Sequence, residues 1–149
     1  MTQRLDKVRK LVRFREFRES TAADGMRQRL VETRQAVCAL DVAQAAVDEA
    51  ESWKARSFAG GNIDVVLYGF ALENEQEMAG RRDAATSDLK DSRERMEVAG
   101  NHWREAASAT RVARERVLAE SRLVMDIEEK RMFDQLSDLL LSRQGDRHD

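Results

Sequence analysis

Ser57-Phe58-Ala59-Gly60-Gly61-Asn62-Ile63-Asp64, SFAGGNID, is the strongest turn signal in a chain of 149 residues that contains no proline. Paired glycines followed by Asn mark a reversal of the backbone. The stretch Asn62 to Asp64 supplies a cap for whatever helix follows. Proline stops helices and shapes turns, so its absence leaves long uninterrupted helix as the default on either side. The reading is one helix over 2–57, a turn over 58–64 and a second helix over 65–142, in a single coiled-coil domain spanning 1–149.

Outward from the turn, apolar residues recur with alternating steps of three and four. On the first helix these positions are Leu5, Val8, Val12, Arg15, Glu19, Ala22, Met26, Arg29, Thr33, Ala36, Leu40, Ala43, Val47, Ala50 and Lys54, ten of them apolar. That spacing is the seam of a coiled coil. The misses fall at Arg15–Glu19 and Arg29–Thr33, where weaker packing or a register shift is expected. On the second helix the positions are Ala85, Leu89, Ser92, Met96, Ala99, Trp103, Ala106, Thr110, Ala113, Val117, Glu120, Val124, Ile127 and Arg131, again ten apolar. Trp103 reads as a core knob. Gly80 and Gly100 lie inside this helix and read as points of close approach or bending. The many alanines predict a close helix pair.

Two amphipathic helices joined by one short connection fold back as an antiparallel hairpin. The fold class is therefore all-α, with the second helix the longer. At the α-helical rise the two are roughly 84 Å and 117 Å long. Pairing outward from the turn brings residue 5 near residue 120, and everything beyond about Ser121 overhangs. That overhang is apolar: Val124, Met125, Ile127, Met132, Phe133, Leu136, Leu139, Leu140 and Leu141. Exposed apolar surface of this kind marks an interface, with self-association or a short third helix as the alternatives. A second apolar cluster, Phe58, Ile63, Val65, Val66, Leu67, Tyr68, Phe70 and Leu72, sits at the turn. It is either a cap on the hairpin or a second docking surface.

Charge is uneven. Residues 1–18 carry seven basic side chains against two acidic ones, while the other 131 residues sum to −7. A basic arm can meet nucleic acid or anionic lipid, but the simpler reading is a solvated helix face. The single cysteine, Cys38, excludes an internal disulfide and fits a reducing compartment. The basic start has no apolar stretch behind it, so no signal peptide is expected. VVLYGFAL at 65–72 is too short to span a bilayer.

Catalytic motifs are missing. There is no GxxxxGK[ST] phosphate loop, no CxxC and no HExxH. His102 and His148 are the only histidines, too few for a three- or four-ligand metal site. The expectation is a protein that is not an enzyme and carries no cofactor and no metal.

Two segments resemble a known family. RLDKVRKLVRFREFRE, Arg4 to Glu19, resembles the opening of the YscO/HrpO proteins of type III secretion injectisomes. NHWREAASATRVARERVLAESRLVMDIEEKRMFDQL, Asn101 to Leu136, is similar to the second helix of FliJ, the flagellar counterpart. The layout of two long helices, an AGG-type turn and a longer second helix extends the resemblance over nearly the whole chain. It implies a non-catalytic stalk, similar to the central shaft of rotary ATPases, that couples a hexameric secretion ATPase to the membrane protein of the export gate. It also implies escort of export chaperones and a cytoplasmic place at the base of the secretion apparatus. On this resemblance Arg4, Lys7, Arg13, Met132, Phe133, Leu136, Leu139 and Leu140 would bind the ATPase. Leu67, Tyr68 and Phe70 would stand in for the family's aromatic gate-binding patch, because CALDVAQAAVDE, Cys38 to Glu49, has no aromatic residue. The expected state alone is a monomer, with no nucleic acid and no membrane insertion. The rival reading is a generic coiled-coil adaptor or tether without an ATPase partner; a further rival is nucleic-acid binding through residues 4–18.

Overall fold

The computed structural model describes residues 2–145. It contains two α-helices, α1 (Thr2–Ser57) and α2 (Val65–Gly145), packed against each other, and no strand among the described residues. The expected all-α hairpin is therefore the fold. α2 runs three residues past the expected end at Ser142.

Contacts between the helices fall into two groups, one within residues 22–103 and the other joining residues 2–21 with residues 104–145. The first group contains the turn. Gly61 takes a φ of +81°, a left-handed conformation that a Cβ would strain. Asp64 then caps α2: its Oδ1 accepts from the backbone N–H of Val66 at 3.0 Å and of Leu67 at 3.4 Å. Two of the four orphan donors of the helix start are thereby satisfied. The ring of Tyr68 meets Phe58 edge-on, centroids 5.2 Å apart, and closes the reversal. Lys54 donates to Glu75 across the pair, one turn below.

Further along, the core is small and sparse. Val47, Ala50, Ala71 and Leu89 are buried. The polar position at Thr33 does not shift the register. Thr33 is buried opposite Ser92, their hydroxyls 3.0 Å apart, and it also donates to the Arg29 carbonyl at 2.9 Å. Arg29 leaves the seam sideways to pair with Glu32 at 2.7 Å. Gly80 and Gly100 are not points of close approach: a Cβ added at either would meet nothing within 4 Å. Trp103 is 36% exposed, more open than a core knob.

In the second group, Leu5, Val8 and Val12 of α1 are half-buried, as are Val117, Val124 and Ile127 of α2. Thr110 is 1% exposed and satisfies its hydroxyl by donating to the Ala106 carbonyl at 3.0 Å. Arg15 and Glu19 stay half-buried on the seam. Arg4 reaches Glu120 at 2.8 Å, which fixes the register expected from counting outward from the turn. Thr2 is then level with about Arg122, so the overhang starts where counting puts it; Val124 and Ile127, on the seam face, are still half-buried. From Glu128 to Arg143 every residue is exposed.

Candidate functional site

The uncovered end of α2 carries five of the expected ATPase-binding residues: Met132, Phe133, Leu136, Leu139 and Leu140, all exposed, Phe133 at 72%. Their placement on the helix is informative. Continuing the seam spacing past Ile127 gives Arg131, Asp134 and Asp138, all polar. The apolar residues occupy other positions. At about 100° per residue, Met132, Leu136 and Leu139 lie between about a third and nearly half a turn from the seam. Stepping back by sevens from Met132 gives Met125 and Leu118, both exposed, and Leu118 belongs to the part of α2 that is paired with α1. The stripe therefore runs from Leu118 to Leu140 on a face that α1 does not cover. Extending α1 would not hide it.

Beside the start of the stripe lies a groove of about 480 Å³ between the helices, lined by Arg9, Val12, Arg13, Glu16, Arg114, Val117 and Leu118. Its floor is Val12, Val117 and Leu118. Glu16 accepts two hydrogen bonds from Arg114, at 2.8 and 3.1 Å, and this carboxylate holds the guanidinium of Arg114 above its ordinary pKa. The acid is thus already matched; on the rim Arg9 pairs with Asp6 at 3.9 Å and Arg13 is exposed. Residues 1–21 and 104–122 together hold twelve basic side chains against six acidic ones. Of the expected basic contacts, Lys7 and Arg13 are exposed, whereas Arg4 is tied to Glu120.

The turn residues do not share a face. Tyr68 is turned to Phe58. Leu67 and Phe70 are three apart and stand with Val66 on another side, with Val66 83% exposed. The apolar face at the turn is therefore Val66, Leu67 and Phe70, and Tyr68 is part of the cap. Reading α2 only as seam plus tail misses Leu118. The signal for it is two seven-residue steps back from Met132.

No family model, curated protein or solved structure matches this chain.

Among the described residues no group of three or more His, Cys, Asp or Glu is placed to hold a metal ion. Cys38 is exposed, and His148 lies outside the described residues. No described helix is long and apolar enough to cross a membrane. Buried side-chain nitrogen and oxygen atoms among the described residues all have hydrogen-bond partners. Among the described residues the arrangement includes a long apolar stripe, a groove with arginines on its rim beside it and a small apolar face at the turn.

Proposed function

We propose that this chain is a non-catalytic coiled-coil stalk of a type III secretion ATPase complex, working at the cytoplasmic base of the apparatus. The end of α2 binds inside the hexameric ATPase, and the protein couples that ring to the export gate and escorts export chaperones. The observation that carries the proposal is the exposed stripe Met132–Leu140 on a face α1 cannot cover. Such a surface needs an outside partner, and a partner that binds only the assembled ring stabilises it by mass action. The resemblance of residues 4–19 and 101–136 to the YscO/HrpO and FliJ proteins names that partner.

Truncation after Ile127 is the test. It removes the stripe from Met132 onward and leaves the seam intact. ATPase turnover and ring assembly are compared with full-length and truncated protein at equal concentration. Stimulation by the full chain and none by the truncated one is the expected result. Equal stimulation by both would remove the tail from the mechanism.

A further inference from the structure

The face of α1 turned away from α2 combines aromatic rings with unmatched charge. Val8, Val12 and Glu19 are half-buried on the seam. At about 100° per residue, Phe14 and Phe17 stand nearly half a turn from that line. They are 54% and 69% exposed. Lys10 falls between them, and Lys7, Arg13 and Arg18 flank them, all exposed. The Arg18 guanidinium stands over the Phe14 ring, 5.9 Å from its centroid. No carboxylate lies between Asp6 and Glu16 in the sequence. Those two are taken, by Arg9 at 3.9 Å and by Arg114 at 2.8 Å. Lys7, Lys10, Arg13 and Arg18 make no ion pair among the described residues.

We propose that this face docks the protein on the surface of a bilayer rich in anionic lipid, with α1 lying along the plane of the headgroups. A merely solvated helix face has no need of two phenylalanines, and an interior one would not carry four unpaired cations. The headgroup region accepts both: rings enter the acyl boundary while Lys and Arg stay among the phosphates. Shape favours a bilayer over a protein helix or a single nucleic-acid strand. Grooves lie on either flank, one lined by Leu11 and Arg15 and the other by Arg9 and Arg13, and neither Phe14 nor Phe17 lines them. Helices and single strands are held in grooves, whereas a flat surface takes the outside of a helix. Residues 7–18 span about 17 Å of α1, so the contact is short and peripheral. Docking of this kind needs no ATPase, uses neither the apolar stripe of α2 nor the turn, and goes beyond the stalk reading.

Full-length protein is sedimented with phosphatidylcholine vesicles made with and without phosphatidylserine. Binding is expected only where phosphatidylserine is present, and it should weaken as salt rises. Each Lys or Arg near an anionic surface is worth about fivefold in affinity, so Lys10→Gln with Arg18→Gln should weaken binding by about tenfold or more. Phe14→Ser with Phe17→Ser leaves the charge unchanged and should also weaken it by about tenfold or more. All four residues are exposed, and circular dichroism checks that helix content is kept. Truncation after Ile127 should leave vesicle binding intact. No binding to phosphatidylserine vesicles overturns the proposal, as does equal binding to phosphatidylcholine alone. Undiminished binding by the phenylalanine double variant would mean ionic adsorption only, and loss of binding on truncation would move the contact to α2; either overturns it. Tighter binding to duplex DNA at the same salt would make this a nucleic-acid face and overturns it as well. Ring stimulation is scored separately, and none of the four substituted residues is an expected ATPase contact, so the two proposals fail independently.

Discussion

The hydroxyls of Thr33 and Ser92 lie 3.0 Å apart across the helix pair, both buried, at a level where an apolar layer would be expected. A buried polar group is tolerated when its hydrogen bonds are made and is costly when they are not. Either hydroxyl can be the donor, and Thr33 also has the Arg29 carbonyl as acceptor. Ser92→Ala should therefore cost about 1 kcal/mol, while Thr33→Val with Ser92→Ala should be close to neutral. Chemical denaturation of the single and double variants gives the coupling directly. A coupling of zero would mean that the pair contributes nothing to stability.

Glycines at different places should respond with opposite signs. Gly61 has the left-handed φ of +81°, so Gly61→Ala should destabilise by about 1 kcal/mol. Gly80 is inside α2 with open space around it, so Gly80→Ala should stabilise by about 0.5–1 kcal/mol through helix propensity. Thermal melts followed by circular dichroism separate the two. A stabilising Gly61→Ala would mean that the turn adopts another conformation in solution.

At the turn, cap and exposed face can be separated. Val66→Ser, Leu67→Ser and Phe70→Ser change exposed residues and should move stability by no more than about 0.5 kcal/mol each. Tyr68→Ser removes the ring contact with Phe58 and should cost about 0.5–1.5 kcal/mol. Under the stalk proposal, the triple serine variant should also bind the cytoplasmic domain of the export gate more weakly. Undiminished binding would take the turn out of that interface.

Stability should fall at both ends of the pH scale. Glu32 is held below its ordinary pKa chiefly by its hydrogen bond from Arg29. Its contribution is full above the unfolded-state value and is lost as pH falls through the lowered folded value. Lys54 is held above its ordinary pKa chiefly by its hydrogen bond to Glu75. Its contribution is full below the unfolded-state value and is lost as pH rises through the raised folded value. Both groups are solvent-accessible, so each effect is small. Glu32→Gln should flatten the acid limb of a Tm-against-pH curve and Lys54→Met the alkaline limb. Exchanged effects would contradict the pairings.

The hairpin was legible in the amino-acid sequence because its causes are local. The three-four spacing of apolar residues, the lack of proline and the Gly60-Gly61 turn each act over a few residues. Even the register followed from counting, and Arg4 does pair with Glu120. The uncovered apolar end was visible too, as a length difference between the helices.

Which face of that end is uncovered was not visible as a length, and only the tertiary structure decided it. Val124 and Ile127 remain half-buried on the seam face, while Leu118, in the paired part of the helix, and Met125 are exposed on another face. Likewise, Thr33 looks like a defect along α1 alone and becomes a satisfied layer only because Ser92, 59 positions away, stands opposite. The groove of Val12, Val117 and Leu118 joins residues more than a hundred positions apart. Periodicity is a property of one helix, whereas coverage depends on how two helices are turned toward each other.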